Sequence, residues 1–385
     1  MWRHVAANGL TFLIVALFLL VGVVSWGAGQ YRAPGPLAEA ICFEVPQGAN
    51  MRRVAQDLEA MNAVSSPVLF RMGADYSDKS GLLKAGSFRV PEGASMESIV
   101  DIVTRGGRST CGTEVIYRIG INRTTVDVRE LDPVSNQFVE VASFDKDEDA
   151  APEGYLSVKD EIGTSFQVIV AEGATSWQIT DALGKIDVLE ADTTEVPPEG
   201  FLAPKSYPIT RGDTVSGVLD DMVAEQEAIM AELWPNRVND LPINSPEEAL
   251  ILASIIEKET GVAEERRQVA SVFVNRLNQG MRLQTDPTVI YGITQGEGVL
   301  GRGLRQSELR GETPWNTYVI EGLPPTPIAN PGRASIEAAL NPDTTEYIFF
   351  VADGTGGHAF ATNLDDHNQN VARWRAIEAE RADGG

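Results

Sequence analysis

Histidine and cysteine are scarce in this chain, and basic residues are outnumbered. Three histidines in 385 residues leave little for a compact metal site, and His358, Asp365, Asp366 and His367 show no ligand spacing that would make one. Neither Cys42 nor Cys111 sits in a reactive motif, so a thiol nucleophile is not expected. The pair reads as one disulfide or as two buried thiols, and an exported protein accommodates either. Lys and Arg total 31 against 55 Asp and Glu, a net charge of −24, which removes nucleic acid as a partner because phosphate binding needs clustered cations. No cofactor-lysine motif is evident, so no cofactor is expected and a pyridoxal-phosphate lyase is disfavoured.

What is present begins at the N-terminus. Residues 9–30, GLTFLIVALFLLVGVVSWGAGQ, carry no charge. A helix crossing hydrocarbon needs about 20 apolar residues. Arg3 and His4 precede the run, Trp26 and Tyr31 stand at its far end as interfacial aromatics, and Arg32 follows. A cleavable signal would have a shorter apolar core, about 7–15 residues, and a small-x-small site. The run therefore reads as an uncleaved transmembrane helix, with residues 1–8 cytoplasmic and the chain beyond residue 33 outside.

The first half repeats itself. FEVPQGANMRRV at 43–54 returns as FRVPEGASMESI at 88–99 and, more weakly, as VIVAEGATSWQI at 168–179. Each is an alternating strand broken by Pro or Gly, then a small polar residue (Asn50, Ser95, Thr175) able to cap an amphipathic helix. One strand–turn–helix unit cannot bury its own apolar face. A small packing module fits this pattern, and so does a glycan-binding module resembling the LysM type. The β-rich runs VIYRIGI and TTVDVREL, with the acidic stretch DKDEDAAPEG at 145–154 as an exposed loop, make 108–165 a β-hairpin-rich insertion.

The second half opens on a helix start. Ser245 caps, Pro246 takes the first helical position, and Glu248 stands three residues after the cap as in a capping box. The helix ALILASIIEKET stops at Gly261, and a second runs from about Ala263 to Gln279 before Gly280. Glu257 and Glu259 close the first helix. At about 100° per residue their side chains diverge by about 200°, so they cannot act together on one bond. Glu259 shares a stripe with Leu252, Ile255 and Ile256, where a less polar setting raises a carboxyl pKa and suits a general acid. Taken alone, both could equally be solvated charges at a helix end. The segments that follow, MRLQTDPTVIYG, the five-proline loop PWNTYVIEGLPPTPIANPGR and the Gly-rich turn before His358, group polar and aromatic side chains as carbohydrate clefts do.

These segments carry a resemblance. ASIIEKET at 253–260, VASVFVNRLNQGMRLQTDPTVIYG at 269–292, NTYVIEGLPPTPIANPG at 316–332 and the run from Tyr347 through ADGTGGHAFATNLDDHN resemble the YceG-like endolytic murein transglycosylases over nearly the whole chain. The resemblance implies an α+β protein: the transmembrane helix at 9–30, a LysM-like α/β module at 38–107, the insertion at 108–165, a linking strand–helix region at 166–240 and a mixed α+β catalytic domain at 241–385. It implies a bacterial inner-membrane protein, its bulk in the periplasm, cleaving the bond between N-acetylmuramic acid and N-acetylglucosamine in nascent peptidoglycan strands to leave 1,6-anhydro ends. Wall synthases such as penicillin-binding proteins are the expected neighbours. Glu259 is the implied catalytic residue. Glu257, Gln284, Thr285, Asp286, Asn316, Tyr318, His358 and Asn363 are candidate substrate contacts, each of which fits a loop- or helix-holding role equally well. The alternative to an enzyme is a peptidoglycan-binding scaffold with an idle catalytic domain. The chain departs from the family at Trp315, where relatives usually carry tyrosine, and at Lys205, where they usually carry an acid; the insertion also appears longer than in many relatives.

Overall fold

The structure is a computed structural model, and it describes residues 2–105, 111–161 and 163–383, with backbone alone for 2–11 and 382–383. The end of the expected first module (106–107), the start of the insertion (108–110) and the side chains of Arg3 and His4 lie outside what is described. The chain divides into two compact units interleaved in sequence: Met1–Val115 with Asp127–Phe144 and Ala150–Phe166, and Ile116–Val126 with Asp145–Asp149 and Gln167–Gly385.

Helix α1 spans Trp2–Arg32. Its stretch Phe12–Arg32 has mean hydropathy 2.4, and its large apolar side chains are exposed, so by length and composition it can cross a membrane. Strand β1 (Ile41–Val45), helices α2 (Met51–Ala60) and α3 (Pro67–Tyr76), strand β2 (Gly86–Val90) and helix α4 (Met96–Thr104) follow. The repeated segments are thus strand, turn and helix. β1 and β2 pair antiparallel, with Phe43 opposite Phe88. Asn50 accepts from the Arg53 N–H at 3.0 Å and Ser95 from the Ser98 N–H at 3.2 Å, the caps the sequence implied. The two units of the repeat bury Phe43, Val45, Val54 and Leu58 against Phe88, Val90, Ile99 and Val103. A disulfide joins Cys42 to Cys111, with Cα atoms 5.4 Å apart.

The insertion supplies β3 (Thr113–Ile119), β4 (Thr124–Asp132), β5 (Gln137–Asp145) and the short α5 (Glu153–Val158). β6 (Ser165–Val170), α6 (Ser176–Gly184) and β7 (Ser206–Ile209) come next. The sheet runs β5-β4-β3-β6-β7, so the boundary at 165 cuts through one sheet and does not isolate a separate module. The third echo is β6, its turn and α6. Thr175 caps α6 with the full reciprocal box, bonding the Gln178 N–H at 3.2 Å and receiving Gln178 on its own N–H at 3.0 Å.

The remaining helices are α7 (Val215–Leu233), α8 (Pro246–Glu259), α9 (Arg266–Asn278), α10 (Asp286–Thr294), α11 (Gln306–Leu309) and α12 (Arg333–Leu340). The hairpin β8 (Phe349–Ala352) and β9 (His358–Ala361) and helix α13 (Leu364–Asp383) close the chain. Ser245 caps α8 on the Glu248 N–H at 3.3 Å, but Glu248 reaches back to the Asn244 N–H at 2.6 Å, one residue before the box position. The expected second helix begins as a 3₁₀ turn over Ala263–Glu265 and becomes α-helical at Arg266. α8 is buried on every face from Ala249 to Ile256, as an apolar-all-round helix must be. It packs Leu252, Ile255 and Ile256 among Val269 and Phe273 of α9 and Ile336 and Leu340 of α12. This core fixes the direction in which its last turn presents its acids.

Candidate active site

The two glutamates at the end of α8 part company as their spacing requires. The Glu257 carboxylate accepts the Gly332 N–H at 3.0 Å, on the side where Glu172 crowds the Gly332 Cα. Burial, and then the Glu257 charge, push the Glu172 carboxyl above its ordinary range. Lys258 between them donates to the Gly173 carbonyl at 3.2 Å. Glu257 therefore holds the 330–333 turn and does not share a site with Glu259.

Glu259 faces α10. The Thr285 hydroxyl donates to its Oε1 in a short hydrogen bond. Burial pushes the Glu259 carboxyl up, and the charge of Asp286 adds to this; the Thr285 bond and the charges of His358 and Arg276 act the other way. The surrounding chain is fixed from below. Thr285 is buried, its N–H donates to Thr317 Oγ1 at 3.0 Å, and the Thr288 hydroxyl bonds the Thr285 carbonyl at 2.7 Å and lies 2.8 Å from Thr317 Oγ1. Gln284 stands at φ 51°, in the left-handed region, with its N–H on the Thr317 carbonyl at 3.1 Å. A non-glycine residue there costs about 1–2 kcal/mol, which the threonine network offsets. Its effect is to bury Thr285 toward Glu259 while Gln284 and Asp286 stay exposed. The Tyr318 hydroxyl donates to Asp286 at 2.6 Å, and burial pushes the phenol above its usual range.

Arg276 on α9 is buried and its charge reaches Glu259. Its guanidinium donates to the Ile348 carbonyl at 2.7 Å and to the Leu283 carbonyl, so it ties the β8 approach to the segment before Gln284. His358 is held by Glu265, whose carboxylate takes its N–H at 3.0 Å and lies 2.8 Å from its Nδ1. The Gly357 backbone makes room, since a side chain there would meet Glu265. Among the described residues no group of His, Cys, Asp or Glu is arranged to hold a metal ion.

The structure thus brings Glu259, Thr285, Asp286 and Tyr318 together, with His358 near enough to act on the Glu259 carboxyl. Three candidates serve elsewhere. Asn316, expected to line a cleft, is fully buried, and its amide nitrogen donates to the carbonyls of Glu308, Leu309 and Gly311. Asn363 caps α13 by accepting the Asp366 N–H at 2.9 Å. Glu257 holds the turn described above. Lys205, the departure from an expected acid, pairs with Glu225 at 2.6 Å. Trp315 packs its ring 5.7 Å from that of Tyr291 and donates its indole N–H to Thr326 at 2.9 Å.

Sequence reasoning missed Thr317, Glu265 and Glu199. Glu199 accepts the Ser176 N–H at 2.9 Å, the Asn330 amide at 3.2 Å and the Tyr291 hydroxyl at 3.3 Å, and burial pushes its carboxyl up to about 7. The one signal for it was its place in EGFLAPKSYPI.

Residues 43–373 match the YceG-like family. The chain is 28% identical over 386 residues to the endolytic murein transglycosylase of Streptococcus pneumoniae, covering 96% of this chain and 65% of that protein; it therefore spans less than two thirds of the length of this relative. To the endolytic murein transglycosylase of Bacillus subtilis it is 27% identical over 344 residues, covering 88% of this chain and 86% of that one. A crystal structure titled as a YceG-like protein from Listeria monocytogenes aligns with TM-score 0.46 at 25% identity, covering 86% of this chain and 99% of the other.

Proposed function

The chain belongs to the YceG-like family, and from that premise we propose that it is a membrane-anchored endolytic lytic transglycosylase of peptidoglycan. Glu259 in its protonated form donates to the oxygen between N-acetylmuramic acid and N-acetylglucosamine. The substrate's acetamido group supports the positive anomeric carbon as the bond breaks. The ionised Glu259 then takes the proton of the C6 hydroxyl, whose oxygen closes on the same anomeric carbon. The product ends in a 1,6-anhydro ring, the proton count balances, and no water is consumed. One carboxyl suffices, whereas most glycoside hydrolases require two.

The observation that carries this reading is the Glu259 carboxyl itself, raised by burial and aimed by the Thr285 hydroxyl. Asp286 and Tyr318, joined by their own hydrogen bond, contact the sugar beside it in this reading, with the exposed Gln284 at the rim. The strand–turn–helix repeat of the first unit serves as a LysM-like glycan-binding module. The helix α1 anchors the chain in the inner membrane with the remainder in the periplasm, beside the synthases that supply nascent strands.

The test is product analysis. The full-length protein in detergent, incubated with uncrosslinked glycan strands, releases anhydro-terminated fragments detected by mass spectrometry. Glu259→Gln lowers the rate by about 10²- to 10⁴-fold, the usual contribution of a general acid. Binding to strands with no cleavage by the unaltered protein would make it a scaffold; unchanged cleavage by the variant would remove Glu259 from its role.

A further inference from the structure

Helix α3 carries an apolar stripe that nothing among the described residues covers. Val68, Met72 and Tyr76 follow at four-residue intervals and so share one face. They are 61%, 61% and 93% exposed, while Phe70 and Ala74 on the opposite face are fully buried in the core of the unit. Three large apolar side chains in a row on a ten-residue helix need an occupant.

The neighbour of α3 identifies that occupant. α3 packs on the last turns of α1. Leu69 stands 3.6 Å from where a Gly27 Cβ would be, and the Tyr31 ring fills the space that any side chain at Gly73 would need. Gly73 is thus the residue that lets the two helices meet. Gly27 lies five residues before Arg32, the first charge after the apolar run, which is about 7–8 Å along the helix axis. Interfacial helices sink their apolar faces about 5–10 Å into the boundary between headgroups and acyl chains. The contact between α3 and α1 runs from that depth, at Gly27, up to the level of Arg32, at Tyr31, and so lies within the interface.

We propose that α3 is a membrane-contacting helix, its Val68–Met72–Tyr76 stripe seated in the outer interface of the same bilayer that α1 crosses. Tyr76 joins Trp26 and Tyr31 in the aromatic belt at that surface. The first unit is then held against the bilayer and is not merely tethered to it. The helix α3 carries one basic and one acidic residue, Arg71 and Asp75, so its own charge sums to zero and the contact is apolar burial that does not weaken with salt. This inference rests on α1 spanning the membrane, as proposed above.

The test uses full-length protein reconstituted in vesicles that carry nitroxide quenchers at known depths. Both native cysteines are bridged, so single introduced cysteines take an environment-sensitive dye selectively. The dye is placed at Met72→Cys, at Phe18→Cys in the anchor, and at the exposed Val139→Cys of β5. The proposal expects the dye at 72 to be quenched severalfold more than that at 139, most strongly by shallow quenchers, and equally at low and high salt. Quenching at 18 but not at 72 overturns the proposal and leaves the anchor standing. Loss of quenching at 18 overturns both. A blue-shifted but unquenched dye at 72 places protein on the stripe and also overturns the proposal.

Discussion

A two-residue step separates Glu257 from Glu259, and that step sends one carboxyl to the Gly332 N–H and the other to the Thr285 hydroxyl. The helical period was enough to foresee their divergence and to favour Glu259, because Leu252, Ile255 and Ile256 mark its stripe. It could not supply the partner, since Thr285 lies 26 residues away and meets Glu259 only through the folding of α10 onto α8. Nor could it separate Asn316 from Tyr318: two residues apart in one loop, one props the loop from beneath and the other bonds Asp286. The Thr285 bond favours the ionised form of Glu259, so Thr285→Val raises the pKa of the acid further. A general acid works only while protonated, so activity falls as pH rises through that pKa. The alkaline limb of the rate profile of the variant therefore moves to higher pH, while kcat falls on the order of tenfold to a hundredfold because the carboxyl is no longer aimed. A pH–rate profile of both proteins checks this; a limb that stays in place or moves down contradicts it.

At the scale of elements, the caps were the most legible feature. Asn50, Ser95, Thr175 and Ser245 each stop the chain where a helix begins, because the cap bond is local and depends on residues three apart. Glu199 was illegible for the opposite reason. Its partners Ser176, Tyr291 and Asn330 come from α6, α10 and the loop before α12, so its burial exists only once these elements have converged. A carboxyl whose folded pKa is raised contributes fully at pH below its unfolded value and loses that contribution as pH rises toward about 7. At about 1.4 kcal/mol per pH unit the loss reaches about 3 kcal/mol. Glu199→Gln imitates the protonated acid, so thermal unfolding should show the variant level with the parent near pH 4 and more stable by up to that amount at pH 8. Equal melting temperatures at both pH values would place the carboxyl in contact with solvent.

At the scale of the whole molecule, the long apolar N-terminal helix could be read from composition and the mixed α+β class from the family resemblance; the structure has a helix long and apolar enough to cross a membrane and a mixed α+β fold. The boundary of the insertion could not, because β3 pairs with β6 as well as β4, and pairing between strands so far apart in sequence leaves no local mark. Cys42 and Cys111 close a loop of 69 residues across the first unit. By loop entropy, such a closure stabilises by about 4 kcal/mol. Replacing both by serine should lower the denaturant midpoint of the first unit accordingly, followed by hydrogen exchange of β1 and β2, while the exchange of α8 and α9 stays as it was. Equal loss of protection in α8 would show that the two units unfold together.

The central claim is that Glu259 lends a proton and recovers it from the substrate's own C6 hydroxyl, with water excluded from the reaction. Digestion of glycan strands in water enriched in heavy oxygen tests this directly. The account predicts new ends that are anhydro and carry no heavy oxygen. New reducing ends bearing one heavy oxygen each would contradict it, because the attacking oxygen would then have come from solvent.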